Sequence, residues 1–197
     1  MIKGIVFDYG GVISIKGSFH QFTETFGPKY GKDAEELHDV IRESWDKARI
    51  GKISSEEFWK NVADYLNIAK EKLRSDCINF FGINEEVVAL IKQLKSDYKI
   101  GILSNQIKDW LEEILETTNL NKYVDVMIGS YDAKKAKPDL ELFKELLEKM
   151  KLHPEEIIFI DDQEKNIPPA KELGINMILF KNNEQLKSEL KKLDIKV

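Results

Sequence analysis

The chain has 197 residues, 42% hydrophobic and 33% charged, with a formal net charge of −5. That is enough apolar material for one core with a modest insertion, and the acidic balance argues against nucleic acid or an anionic membrane as a partner. No apolar run is long enough to span a bilayer. A single cysteine, Cys77, leaves no disulfide framework and no thiolate metal cluster, so a reducing, cytoplasmic setting is expected.

In chain order, residues 2–7 read as a strand rather than a secretory signal, being too short in apolar residues for the latter. Residues 15–82 then carry helical spacing only. Leu37, Val40, Ile41 and Trp45 share one face, and Phe58, Val62, Tyr65 and Leu66 share another. The second of these helices has a start signal: Ser54 as N-cap, Glu57 to complete a capping box, and Ile53 to staple against Phe58. A third helix is expected from about residue 69 to 80. From residue 84 onwards helix and strand alternate. Val87, Ile91 and Leu94 form a stripe before an apolar run at 99–103, and Ile107, Leu111, Ile114 and Leu115 form one before 124–128. Phe143, Leu146, Leu147 and Met150 precede the run at 157–160. A last run at 176–180 is followed by Leu186, Leu190 and Leu193.

Near-continuous apolar strands suit a parallel sheet covered on both faces, and the alternation implies right-handed crossovers in a doubly wound, Rossmann-like α/β fold. The expected division is an α/β core of residues 1–14 and 83–197 and an all-helical cap of residues 15–82. An insertion after the first strand overhangs the carboxyl edge of the sheet, where open α/β sheets bind ligands.

Four short segments fall at the carboxyl ends of separate strands and converge on that edge. Asp8 ends the first strand and is followed by Gly10 and Gly11, which would let the chain turn sharply and leave carbonyls pointing inward. Ser104-Asn105 offers a hydroxyl and a backbone N–H at the entry to a helix, an anion site or a plain N-cap. Lys137 precedes Pro138, which suits the first turn of a helix over 140–152; a cation there opposes the helix dipole and points to an anion to hold. Asp161 and Asp162 close an apolar strand, and adjacent acids beside Asp8 call for a cation, with carboxylates and carbonyls being what Mg²⁺ takes. Asn166 either supports that site or caps a helix starting at Ile167, whose first turn tolerates Pro168 and Pro169.

With those residues in view, the whole chain resembles the haloacid dehalogenase superfamily, in particular its members with a small helical cap after the first motif. Phe7-Asp8-Tyr9-Gly10-Gly11-Val12-Ile13 looks like motif one, Ser104-Asn105 like motif two, and Lys137-Pro138-Asp139 with Phe143 like motif three. Asp161-Asp162 with Asn166, Ala170, Leu173 and Gly174 looks like motif four. The run from Arg49 to Phe58 is similar to a cap segment of the same family. The resemblance implies a hydrolase acting on a small phosphorylated metabolite, such as a sugar phosphate, as a monomer or homodimer. Asp8 would attack phosphorus and carry an aspartyl-phosphate. Ser104 and Asn105 would hold the transferring oxygens, and Lys137 would neutralise charge. Mg²⁺ would be held by Asp8, the carbonyl of Gly10 and Asp162, with Asp161 helping directly or through water.

One position departs from the family pattern. Most family phosphatases carry a second Asp two residues after the nucleophile, which protonates the leaving alcohol; here that residue is Gly10. General acid–base help is typically worth about 10²–10⁴-fold. His20, just beyond motif one, is the side chain that could take over. The alternatives are a non-catalytic phosphate-binding or regulatory module with a degenerate site, and a 2-haloacid dehalogenase, which also lacks the second Asp but has little use for Asp161 and Asp162. Trp45, Trp59, His38, His153 and Cys77 are expected to be structural.

Overall fold

Each of the five apolar runs forms a strand, and the computed structural model, which describes residues 1–197, joins them in one parallel sheet. The strands are β1 (Gly4–Phe7), β2 (Lys99–Ser104), β3 (Val126–Gly129), β4 (Ile157–Asp161) and β5 (Asn176–Leu179), in the order β3-β2-β1-β4-β5. Successive side chains along a strand face opposite ways, and both directions are apolar here. Ile5, Phe7, Ile100, Ile102, Ile158 and Ile160 enter one buried cluster, and Val6, Leu103, Ile157 and Phe159 enter another.

Helices cover both faces. The first is closed by α5 (Glu85–Leu94), α6 (Lys108–Thr117) and α10 (Asn183–Lys192), through residues such as Ile91, Leu111 and Leu186. The second is closed by α8 (Leu140–Met150) and the short α9 (Ile167–Glu172), through Phe143, Leu146 and Ala170. A four-residue helix, α7 (Ser130–Ala133), follows β3 directly.

Element boundaries shift where side chains intervene. The third strand begins at Val126 rather than 124, because the carboxylate of Asp125 accepts the Ile100 N–H (2.8 Å) that a ladder carbonyl would otherwise take. The helix expected over 140–152 stops at Met150, since Lys151 adopts φ 51°. Its N-cap is Asp139, which accepts from Glu141 N (2.9 Å); Pro138 therefore lies outside the helix and not in its first turn.

Between β1 and α5 lie four helices, α1 (Phe19–Phe26), α2 (Ala34–Ala48), α3 (Ser55–Leu66) and α4 (Lys70–Phe81). Sequence spacing gives three of them. It misses α1, a two-turn helix capped by Ser18 that buries Phe22 and Phe26. Ser54 caps α3 as expected, accepting from Glu57 N (3.1 Å), but the Glu57 side chain does not return the bond. The two connections into this layer run side by side: Lys16 N donates to Phe81 O (3.1 Å), and Asn84 N to Ile13 O (2.8 Å).

The layer docks on α6 through aromatic and ionic contacts. Trp110 lies 5.3 Å (ring centroids) from Trp59 and 5.3 Å from Phe81. Beside them, Arg74 pairs with Asp109 (2.9 Å) and Glu113 (2.5 Å), and Trp59 Nε1 donates to Asp109 (3.3 Å). The apolar cluster thus runs unbroken from under the sheet into the helical layer. No helix is long and apolar enough to cross a membrane. Trp110 is almost fully buried where the two layers meet. Trp110→Ala is expected to lower stability by about 3–5 kcal/mol, measured by urea unfolding.

Candidate active site

The chain leaves β1 extended at Asp8, then turns. Gly11 makes the turn possible: its φ is +70°, and a Cβ there would lie 2.2 Å from Asp162 Oδ2. Gly10 does not share that constraint. It sits at φ −65°, ψ 122°, which any residue adopts, and a Cβ there would meet nothing nearer than 3.8 Å. The sequence reading that both glycines are needed for the turn is corrected on this point. Ser14 closes the loop, its hydroxyl accepting from Gly11 N (3.1 Å) and its N–H donating to Tyr9 O (2.9 Å).

Asp8 is buried, with Oδ1 accepting the Tyr9 N–H (2.7 Å) and Oδ2 facing Lys137 Nζ (2.9 Å). Lys137 Nζ also donates to Asp161 Oδ2 (2.6 Å), so one buried ammonium bridges two buried carboxylates. Asn105 fixes the Lys137 backbone from both sides: its Oδ1 accepts Lys137 N–H (2.8 Å), and its Nδ2 donates to Lys137 O (3.0 Å). Neither Ser104 nor Asn105 is a helix cap, since α6 begins at Lys108 with Ile107 at the cap position. Lys137 does not face a helix N-terminus either, because Asp139 serves the start of α8.

Asp161 is saturated. Its oxygens accept from Lys137, from Gln163 N (2.8 Å) and from Asn166 Nδ2 (2.9 Å to each oxygen). The Asn166 side chain thus supports Asp161 instead of capping α9. Asp162 is different: its Oδ1 is buried without any hydrogen-bond partner. Asp8, Asp161 and Asp162 bring carboxylate oxygens within 4.8 Å of one another. Three carboxylates against one ammonium leave an excess of two negative charges, which suits a divalent cation.

The charge states follow. Burial pushes the Asp8 carboxyl from 3.8 up to about 7; Lys137 opposes this, and Asp161 and Asp162 add to it. Burial also raises Asp162, with Asp161 contributing. For Lys137, burial alone would lower the ammonium, but Asp8 and Asp161 together hold it above its usual value.

These groups open on a cavity of about 170 Å³ whose lining includes Asp8, Gly10, Ser104, Asn105 and Lys137. Its other wall comes from the helical layer and α6: Phe19, Trp45, Arg49, Phe81 and Trp110. Trp45, expected to be purely structural, faces the cavity, whereas Trp59 is core. His20 does not reach it. Its side chain is 63% exposed on α1, 3.6 Å from Glu24 and beside His38. Arg49 opens the cap run that resembles the family, but it was not expected at the site; it lies four residues after Trp45, on the same helical face.

The chain belongs to the haloacid dehalogenase-like hydrolases, whose family model matches residues 5–180. It is similar to the D-ribitol-5-phosphate phosphatase of Bacteroides thetaiotaomicron, 29% identical, covering 96% of this chain and 97% of that one. It is also similar to the glyceraldehyde 3-phosphate phosphatase of Methanocaldococcus jannaschii, 28% identical, covering 89% and 83%. Among solved structures, a haloacid dehalogenase family enzyme of B. thetaiotaomicron in complex with magnesium and inorganic phosphate superposes with a TM-score of 0.75 at 25% identity, covering 92% and 95%.

The raised Asp8 predicts a pH effect on stability. Between 3.8 and about 7 the folded metal-free protein holds a proton that the unfolded chain has lost, so stability falls as pH rises through that window. In EDTA, Asp8→Asn is expected to flatten the decline between roughly pH 4 and 7 and to recover on the order of 2–4 kcal/mol, read from urea midpoints.

Proposed function

We propose that the protein is a Mg²⁺-dependent phosphatase of small phosphorylated metabolites, with Asp8 as nucleophile. The observation that carries this is the buried Asp8–Lys137–Asp161 bridge beside the unpartnered Oδ1 of Asp162, at one end of a cavity shared with Ser104 and Asn105. The named substrates of the two relatives, ribitol 5-phosphate and glyceraldehyde 3-phosphate, support a small phosphorylated carbohydrate.

The donor set fits magnesium. Asp8, Asp162 and the carbonyl of Gly10 are hard oxygens of the kind it takes, and an orphaned buried carboxylate oxygen is costly unless a cation meets it. Asp161, already committed to Lys137 and Asn166, acts as the group that positions the ammonium. When bound, the ion would supply positive charge to the phosphoryl oxygens.

The remaining chemistry falls to the chain's own groups. Asp8 attacks phosphorus; the bond from phosphorus to the leaving oxygen breaks as the Asp8–phosphorus bond forms. Lys137, kept charged by two carboxylates, stabilises the charge that develops, and the Ser104 hydroxyl and Asn105 N–H hold the transferring oxygens. Water then hydrolyses the aspartyl-phosphate, releasing inorganic phosphate and restoring Asp8. No carboxylic acid other than Asp8 and no imidazole lines the cavity, whose other charged groups are Arg49, Lys137 and Lys165, so the leaving oxygen takes its proton from solvent water. A third carboxylate with an unpaired oxygen favours this reading over metal-free dehalogenation.

p-Nitrophenyl phosphate has a leaving group that needs little protonation, so it tests the nucleophile fairly. Its hydrolysis is expected to require Mg²⁺, to stop in EDTA and to vanish in Asp8→Asn. Release equal to the Asp8→Asn background in Mg²⁺-loaded protein would overturn the assignment. Gly10→Asp, for which the backbone already has room, is expected to raise kcat on alkyl phosphates by about 10²-fold or more, within the 10²–10⁴ span of acid–base assistance. The gain on p-nitrophenyl phosphate should be smaller. Equal gains on both would mean that position 10 does not face the leaving oxygen.

A further inference from the structure

The part of the cavity lining that comes from the helical layer carries one arginine, whose hydrogen-bonding capacity is only partly used. Arg49 follows the last residue of α2, and its side chain is 26% exposed. One terminal nitrogen pairs with Asp46 (2.7 Å), and Nε is buried with no partner. A cation here would suit the C-terminal end of a helix dipole, yet the side chain donates to none of the carbonyls of α2. A buried donor left unpaired is costly, and the guanidinium fork matches a carboxylate or phosphate in two-point geometry.

The core itself fixes this arginine. Ser130, buried at the start of α7, donates its hydroxyl to the Arg49 carbonyl (2.5 Å). Trp45, one turn earlier on the same helix, lines the same cavity together with Phe19, Phe81 and Trp110. A substrate with its phosphoryl group at Asp8 would extend towards an aromatic wall that holds Arg49, while Lys165 enters the same cavity from the core. At about 170 Å³ the cavity is well below the roughly 300–1,000 Å³ of pockets for drug-sized ligands, so the leaving portion has to be short.

We infer that Arg49 is the specificity-determining residue of this site and that it selects phosphomonoesters whose short leaving portion carries an anionic oxygen group, as in a phosphorylated hydroxy acid. The inference rests on the phosphatase reading above, and it narrows the substrate class within it.

The test compares two three-carbon esters that differ in that group, 3-phosphoglycerate and glycerol 3-phosphate, with Mg²⁺ present. Wild type is expected to favour the carboxylate by at least tenfold in kcat/KM. Arg49→Met should erase most of that ratio, chiefly through KM, and Arg49→Lys should keep part of it. Thermal unfolding midpoints establish that both variants are folded. Calorimetric binding of the same two esters to Asp8→Asn protein, with and without Arg49→Met, reads the preference without turnover. Failed hydrolysis of p-nitrophenyl phosphate would therefore count against the phosphatase reading, whereas an Arg49-independent ratio, or no preference for the carboxylate, in rate and in binding would overturn this one.

Discussion

Everything at the carboxyl edge of the sheet is arranged around one buried ammonium. Lys137 Nζ sits between Asp8 (2.9 Å) and Asp161 (2.6 Å), and each other contact at the edge serves to hold that bridge. The strand order makes it possible. β1 is central, flanked by β2 and β4, so Asp8 has Asn105 on one side and Asp161 on the other. Asn105 clamps the Lys137 backbone; Asn166 and the Gln163 N–H hold Asp161. Lys137 is delivered from the loop between α7 and α8, so four separate segments must all be in place before the bridge closes.

Such a bridge is a poor device for stability. Taking charges out of water costs several kcal/mol per ion, and the return depends on geometry. Here the balance is further strained, because the three acids of the cluster outnumber the one lysine. Asp8 shows it: burial first, and Asp161 and Asp162 after it, raise its carboxyl to about 7 against the pull of Lys137. Strain stored at a functional edge and offset by packing elsewhere is what a working site would show. The offset is visible in two apolar clusters, one on each face of the sheet.

The architecture was legible because strands buried on both faces leave an apolar signature that needs no partner information. The five runs, their parallel arrangement and the helical insertion follow from it. What escaped depends on contacts made across the fold. Asp125 shortens β3 by taking a bond from Ile100, twenty-five residues away in the chain. Helix α1 has only Phe19, Phe22 and Phe26 at helical spacing, too few to read until Trp45, Phe81 and Trp110 are placed against them. The residues of the candidate site were legible as types at strand ends; their partners were not. Asn105 read as a backbone donor and turns out to use its side chain on Lys137. Asn166 was open between two roles, and Arg49 stood only as the first residue of a cap run similar to the family's, with nothing to place it at the cavity.

The two glycines after Asp8 separate what folding demands from what chemistry leaves open. Gly11 has a positive φ and lies against Asp162, so a side chain there would break the turn that holds the acids together. Gly10 has ordinary angles and open space around its missing Cβ. The fold therefore does not require a glycine at position 10, so the missing carboxyl there has no origin in backbone geometry. Of the groups that line the cavity from the helical layer, the permanently charged one is Arg49. An arginine cannot give up its proton at any ordinary pH, so it can bind and stabilise an anion but cannot act as an acid. Cations reach the cavity from three segments, Lys137 before α8, Lys165 after β4 and Arg49 at the end of α2, and two of them are held by independent supports, Asn105 on the Lys137 backbone and Ser130 on the Arg49 carbonyl.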